Sequence, residues 1–241
     1  MPGKRKFTKE QQEERIRGIL AGLEGAYPDA TCELDHRNAF ELLIATILSA
    51  QCTDERVNIV TRDLFKKYRS PKDYLGVPQE VLEADIRSTG FYRNKAKSIQ
   101  GACRMILEQF HGKVPDTMEG LIQLPGVARK TANVVLGVVW GKAEGIVVDT
   151  HVHRVARRLE LTAEDTPEKI ELDLMGLVPR SKWIGFSHEM ILHGRRVCRS
   201  RAPMCYSCVA ENICMSKDKV AALPLSPAGG GKKSRAPGRR S

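Results

Sequence analysis

The sequence has no apolar segment long enough to cross a bilayer, and its N-terminal residues contain no apolar core of the kind found in secretory signals. The longest apolar run is Val134–Trp140, whereas a membrane-spanning helix needs about 20 such residues. Lys, Arg, Gln and Glu dominate the first residues instead. These absences argue against a membrane protein and against a secreted one, so we expect a cytoplasmic location.

Period-two alternation of apolar and polar residues is also missing, and so is any internal repeat. Apolar residues recur at steps of three and four instead, most clearly from Val57 to Tyr68 and from Ala96 to Phe110. The segment Phe40–Leu48 is apolar on most sides, as in a buried helix. Turn-forming residues separate these helix-length segments. The sequence therefore predicts an all-α fold.

Acidic residues are in deficit: 29 Asp and Glu face 39 Lys and Arg, which gives a formal net charge of +10. Such an excess favours a polyanionic partner, either a nucleic acid or an anionic membrane surface. The lack of a long apolar run makes nucleic acid the better choice.

Residues 223–241 contain no acidic residue and are rich in Pro, Gly, Lys and Arg. We expect them to form a disordered basic tail.

Four of the seven cysteines are concentrated in one stretch with the spacing Cys198-x6-Cys205-x2-Cys208-x5-Cys214. Four thiolates can hold either zinc or an iron–sulfur cluster. Zinc modules commonly use two close ligand pairs that lie a dozen or more residues apart. Here there is one close pair, Cys205 and Cys208, and a single cysteine lies a few residues away on each side of it. The spacing favours a 4Fe-4S cluster, with zinc as the alternative.

Arginines accompany this cysteine stretch. Arg199 and Arg201 lie between the first two cysteines, and Arg195 and Arg196 come just before them. A loop folded around a cluster would present these guanidinium groups on one rigid surface, where they could contact phosphates. The alternative is that they are simply solvated.

A Pro-Gly turn opens a helix within Leu124–Ala132. Pro125 and Gly126 end the preceding helix, and the next helix is expected to start at about Ala128. The N–H groups of its first turn lack partners within the helix. Together with the positive end of the helix dipole, they form a phosphate site that is independent of base sequence. On its own such a turn is weak evidence, because it is more often a simple helix boundary.

In combination with three other segments, the turn resembles the helix-hairpin-helix DNA glycosylases, in particular enzymes of the endonuclease III type. The other segments are Leu48–Asp54, Val148–His151 and the cysteine stretch, and they occur in the family's order. The resemblance covers about residues 8–222. It implies two helical domains that flank a DNA-binding cleft. Residues 32–142 would form a six-helix domain with the hairpin, and residues 8–31 and 143–222 the 4Fe-4S cluster domain.

The resemblance also implies an activity in base excision repair. The enzyme would remove oxidised pyrimidines such as thymine glycol from duplex DNA and then cut the strand 3′ to the abasic site. Lys130 would be the nucleophile that forms a Schiff base and permits β-elimination. The attack needs a neutral amine, which desolvation by bound DNA and the positive end of the helix favour. Asp149 would stabilise positive charge on the sugar and move protons, although Asp149-Thr150 is also typical of a helix N-cap.

Several further residues would contact DNA, because a base inside the duplex must be flipped out before it can react. By resemblance, Gln51 inserts into the base stack and Asp54 braces its loop. A second wedge would come from residues 90–95. Phosphate contacts would come from the hairpin, which comprises Gly126, Val127, Ala128 and Arg129, and from Arg199 and Arg201.

One position departs from the family's pattern. The hairpin often has a second glycine where this chain has Ala128. Alanine would be strained there if the position required a positive φ. We expect Ala128 to lie in the first helical turn, where alanine is not penalised.

The expected partner is double-stranded DNA with a damaged base or an abasic site. We expect the protein to bind it as a monomer and, if the source is bacterial, to be associated with the nucleoid. An adenine-removing glycosylase of the same fold is one alternative, but such enzymes generally lack the lysine and place a catalytic glutamate where this chain has the apolar or small residues of Leu42–Ala50. A second alternative is a noncatalytic DNA-binding module, against which only Lys130 and Asp149 argue. An electron-transfer protein is the weakest alternative, because no motif marks a second redox centre.

Overall fold

The computed structural model describes residues 7–220, so the predicted basic tail at 223–241 lies outside the described residues. Within that range the chain forms helices and no strand, which confirms the predicted all-α fold. None of these helices is both long and apolar enough to cross a membrane. Short 3₁₀ helices cover Arg87–Thr89, Arg180–Lys182 and Cys205–Ser207. The α-helices are α1 (Lys9–Ala26), α2 (Ala39–Leu48), α3 (Asp54–Lys67), α4 (Pro71–Leu75), α5 (Gln79–Ile86), α6 (Tyr92–Gln109), α7 (Met118–Gln123), α8 (Arg129–Trp140), α9 (Thr150–Arg158), α10 (Pro167–Leu177) and α11 (Trp183–Arg196).

Side-chain caps explain where many of these helices begin. Thr8, Asn38, Thr53, Thr117 and Asp149 each precede a helix and accept a hydrogen bond from an N–H of its first turn. Each cap satisfies a backbone donor that has no partner inside the helix. Of these five caps, Asp149 is the one that the sequence had predicted.

Two hydrophobic cores organise the chain. The first is built by α2 to α8, with α2 buried along nearly its whole length. The second is built by α1 together with α9, α10 and α11, so the N-terminal helix joins the C-terminal part of the chain. Residues 32–142 contain seven α-helices, because Pro71–Leu75 forms a short helix of its own. The division into domains at the expected boundaries stays a prediction.

Two ion pairs connect helices of the two cores. Arg129, at the start of α8, contacts Glu171 of α10 with Nε 3.0 Å from Oε2. Arg195, near the end of α11, places Nη2 2.7 Å from Oδ2 of Asp54, the first residue of α3. Both pairs include residues singled out from the sequence as DNA contacts, so these residues also have a structural connection inside the protein.

Candidate active site

The turn before α8 requires glycine. The Val127 N–H donates to the Leu124 carbonyl at 3.0 Å, and Gly126 has a φ of +80°. Pro at the second position and a positive φ at the third are the features of a type II turn. A Cβ on Gly126 would also lie 2.8 Å from Cβ of Ser98. Only glycine fits this position without strain or movement.

Ala128 is the N-cap of α8, and the helix begins at Arg129. The expectation that Ala128 lies within the first helical turn was wrong by one residue, because its backbone is extended with φ −89° and ψ 169°. Its φ is negative, so alanine is unstrained in spite of the missing second glycine. Alanine also has no side-chain acceptor for the N–H groups of the first turn. These groups can therefore bind an outside anion.

Lys130 lies in that first turn and is exposed to solvent. Its neighbour Arg129 is held by the protein: Nε donates to both carboxylate oxygens of Glu171, and Nη2 donates to the Glu144 carbonyl at 3.2 Å. The hydrogen bonding to Glu171 raises the pKa of Arg129. Of these two adjacent cations, Lys130 is therefore the one whose side chain is available to an incoming ligand.

Asp149 is the N-cap of α9, as its sequence context predicted. Its Oδ1 accepts hydrogen bonds from the N–H groups of His151 and Val152, both at 2.8 Å. The side chain is half-buried. Since both bonds end on Oδ1, the second oxygen is not used by the cap. A rigidly held carboxylate with one oxygen outside the cap can still interact with a positive charge or a proton.

Gln51 lies in the turn that follows α2, which ends at Leu48. The residue is exposed and has a φ of +54°. This left-handed conformation is uncommon for a residue other than glycine and often marks functional sites. Asp54, expected to brace the Gln51 loop, is held by the ion pair with Arg195.

The segment 90–95 presents one large apolar side chain to solvent. Phe91 is 63% exposed and has a φ of +47° at the start of α6. No pattern in the sequence distinguishes among the side chains of this segment. Both its exposure and its backbone conformation single out Phe91.

The four clustered cysteines line one cavity of about 420 Å³, a volume that includes its open mouth. Arg158 and His193 also line it. All four cysteines are free thiols. Among residues 7–220, no group of three or more His, Cys, Asp or Glu side chains is arranged so that it could hold a metal ion. The predicted ligand set therefore stays a proposal.

The surroundings of these thiols nevertheless suit an anionic group. Arg158 places Nη1 3.5 Å from the Cys198 sulfur, and His193 places Nε2 3.4 Å from the Cys208 sulfur. Burial lowers the pKa of His193 to about 4, so the ring is neutral at pH 7. Burial also raises the pKa of Cys208 to about 11. A thiolate at Cys208 therefore needs a bound cationic centre to stabilise it.

The loop arginines Arg199 and Arg201 are both exposed. Two arginines of α9, which the sequence analysis did not single out, support the backbone of their loop. Arg154 Nε donates to the Cys198 carbonyl at 3.1 Å, and Arg158 Nη1 donates to the Arg199 carbonyl at 2.6 Å. Nothing in the sequence distinguished these two from the other basic residues of the chain.

Comparison with known proteins gives a consistent result. The sequence pattern of the HhH-GPD superfamily base excision DNA repair proteins matches residues 44–180. Endonuclease III of Synechocystis sp. is 52% identical over 205 residues, which cover 85% of this chain and 94% of the relative. Endonuclease III of Escherichia coli K12 is 42% identical over 202 residues, or 84% and 95% of the two chains.

A solved structure of a trapped endonuclease III–DNA covalent intermediate, an estranged-adenine complex, superposes with a TM-score of 0.81 at 49% identity and covers 84% of this chain and 95% of that one. Sequence and fold thus agree over most of the described residues. The chain belongs to the HhH-GPD superfamily of base excision DNA repair proteins and, within it, to the endonuclease III enzymes, which are DNA glycosylases with AP lyase activity.

Proposed function

We propose that this enzyme excises oxidised pyrimidines of the thymine glycol type from duplex DNA and cleaves the strand 3′ to the abasic site through a Schiff base on Lys130. The observation that carries the proposal is the exposed lysine in the first turn of the helix that follows the type II turn. One solved relative is a covalent complex between endonuclease III and DNA, which supports an enzyme nucleophile.

In the proposed reaction the Lys130 amine attacks C1′ of the damaged nucleotide, and the bond from C1′ to the base breaks. The base leaves with the electron pair and takes up a proton, while the lysine nitrogen loses one. The lone pair of that nitrogen then breaks the bond from C1′ to O4′, and O4′ takes up a proton. The opened sugar is now joined to Lys130 through a Schiff base, which acidifies the C2′ proton. Loss of that proton expels the 3′ phosphate. Asp149 would stabilise the positive charge on the sugar and carry protons between these steps.

We further propose how the DNA is held open. The exposed Gln51 enters the space left by the flipped base, and the exposed Phe91 wedges the stack beside it. The Gly126–Arg129 turn binds a phosphate through backbone N–H groups. Asp54 fixes the Gln51 loop through its ion pair with Arg195. Arg199 and Arg201 add contacts to phosphates.

The cofactor proposed for the cysteine cavity is a 4Fe-4S cluster, with Cys198, Cys205, Cys208 and Cys214 as the four thiolates. Its contribution would be structural, since four bonds to sulfur would hold together a segment of little regular structure that packs against the second core. The positive charge of Arg158 beside the Cys198 sulfur fits an anionic tetrathiolate cluster. The neutral His193 lies within hydrogen-bonding distance of the Cys208 sulfur. We also propose the two-domain division stated above, a monomeric enzyme, and a cytoplasmic location at the nucleoid if the source is bacterial.

The test is a duplex that contains one thymine glycol, incubated with the purified enzyme in the presence of borohydride. Borohydride reduces a Schiff base to a stable amine, so wild-type protein should give a covalent protein–DNA product. Lys130→Gln should give none. Lys113→Gln, which removes the same charge from another exposed lysine, is the matched control and should trap DNA like the wild type.

Two results would contradict the proposal. Base release without a trapped product would show hydrolysis by water instead of attack by an amine. Trapping that persists in Lys130→Gln would assign the nucleophile to another lysine or to the N-terminal amine.

A further inference from the structure

Lys95 is a buried lysine that the proposed reaction does not use. It lies in the first turn of α6 and is only 5% exposed. Burial lowers its pKa. Because a buried ammonium group is costly unless it is hydrogen-bonded, the partners of Lys95 indicate why the chain tolerates it.

The ammonium group joins two separate segments of backbone. Nζ donates to the Leu48 carbonyl at 2.7 Å and to the Thr89 carbonyl at 2.8 Å. Leu48 is the last residue of α2, and Thr89 is the last residue of the 3₁₀ helix Arg87–Thr89. Carbonyls at helix ends lack an intrahelical donor and favour a nearby positive charge. The lysine satisfies both with one charged group.

These two helix ends lead directly into the two loops proposed to enter DNA. Gln51 comes three residues after Leu48, and Phe91 comes two residues after Thr89. Gln51 and Phe91 both hold left-handed backbone conformations, which must be maintained by the surrounding structure. Lys95 is therefore placed to fix the separation between the two loops.

We propose that Lys95 is a positioning residue that braces the Gln51 and Phe91 loops against each other, so that both side chains enter the duplex together. This inference rests on the proposed function, because it assigns a purpose to two loops whose insertion into DNA is itself a proposal. Lys95 acts through the loops and does not touch the substrate.

The test compares Lys95→Met, which keeps the length of the side chain but removes all its donors, with Lys95→Arg, which keeps a charged donor. Lys97→Met is the matched control, because Lys97 lies on the same helix and is exposed. The DNA is a duplex with a tetrahydrofuran abasic analogue opposite 2-aminopurine, whose fluorescence rises when the base is unstacked.

At saturating protein, wild type and Lys97→Met should both give the full fluorescence rise. Lys95→Met should bind but lose most of that rise, and Lys95→Arg should regain part of it. In single-turnover release of thymine glycol, Lys95→Met should be slower by about 100-fold, the effect expected when reacting groups are misplaced by about an ångström. Borohydride trapping on an unpaired strand with an abasic site should be unchanged, because no base stack has to be entered.

A full fluorescence rise in Lys95→Met would overturn the proposal, and so would equal losses in Lys95→Met and Lys97→Met, which would point to charge alone. If Lys95→Met does not fold, the same measurements on Lys95→Gln decide, and a full rise there would overturn the proposal equally. If the wild type unstacks 2-aminopurine and Lys95→Met does not, but the wild type neither releases base nor traps DNA, the brace is supported and the proposed function is contradicted.

Discussion

At the scale of single residues, Asp149 combines a structural task with a proposed chemical one, and its two oxygens allow the tasks to be separated. Oδ1 caps α9 through two hydrogen bonds. Asparagine retains that acceptor and is about as good an N-cap as aspartate. It cannot stabilise a positive charge as a carboxylate does, and it cannot carry a proton.

We therefore expect Asp149→Asn to lower the single-turnover rate of base release by on the order of 10²–10⁴-fold while costing less than about 1 kcal/mol of unfolding free energy in urea. Asp149→Ala, which loses both the cap and the carboxylate, should be equally slow and about 1 kcal/mol less stable than wild type. If Asp149→Asn releases base at the wild-type rate, the residue is a cap and nothing more.

A functional residue could be proposed from the sequence only where it belonged to a local pattern. Lys130 and Asp149 could be proposed from the sequence because each stands at the start of a predicted helix in a recognisable motif. Lys95 was not singled out from the sequence. It lies on the same buried face of α6 as Ile99, Cys103 and Ile106, and a lysine is unusual at such a position. Its partners at Leu48 and Thr89 are distant in sequence, so no local pattern reveals them.

At the scale of an element, the turn before α8 depends on one glycine and not on a second. Gly126 holds φ +80° and lies against Ser98, whereas Ala128 has a negative φ. The sequence could place the turn and the helix, but it could not decide the conformation of residue 128. That conformation depends on whether residue 128 is the N-cap or the first residue of the helix. Sequence composition does not determine a helix start to within one residue.

Gly126→Ala should therefore lower the unfolding free energy by about 1–2 kcal/mol from backbone strain alone, with a further loss from the contact with Ser98. Its affinity for duplex DNA should fall as well, since the same turn presents the N–H groups of α8. Ala128→Gly is the control and should change stability by less than about 0.5 kcal/mol, because glycine is an acceptable N-cap. Urea unfolding and DNA titration measure both variants, and equal stability losses would contradict the assignment of the turn.

At the scale of the whole molecule, the all-α class followed from periodicity, whereas the pairing of α1 with the C-terminal helices did not. α1 packs against α11, so the second core is assembled from both ends of the chain. Residues far apart in sequence make this core, and periodicity within one helix carries no information about its partner. Only the resemblance to a family supplied that expectation.

The cysteine segment gives a prediction at this scale because it forms one edge of the second core. Cys198, Cys208 and Cys214 pack against that core, and the only helix within 198–214 is the three-residue Cys205–Ser207. Cys205→Ser should reduce the iron bound per protein, lower the melting temperature and weaken DNA binding through the arginines of the same loop. Cys32→Ser, outside this segment, should leave the iron content unchanged. Full iron content in Cys205→Ser would exclude this ligand set.

The ion pair between Arg195 and Asp54 connects the two cores, and its contribution to stability can be measured directly. Arg195 of α11 contacts Asp54 of α3 and also Glu33, and the side chains of Arg195 and Asp54 are only 32% and 22% exposed. Partial burial makes this pair stronger than an exposed one, although solvent still screens it. A double-mutant cycle of Arg195→Gln and Asp54→Asn should therefore give a coupling free energy of about 1 kcal/mol in urea unfolding.

The same coupling should shrink at high salt, and Arg195→Lys should restore only part of it, because lysine cannot contact both carboxylates with a rigid fork. Base release should fall in both single variants, since the pair also anchors α3 directly after the Gln51 loop. If the two substitutions are additive within about 0.5 kcal/mol, then apolar packing and the Arg129–Glu171 pair hold the cores together, and Asp54 does not brace its loop through Arg195.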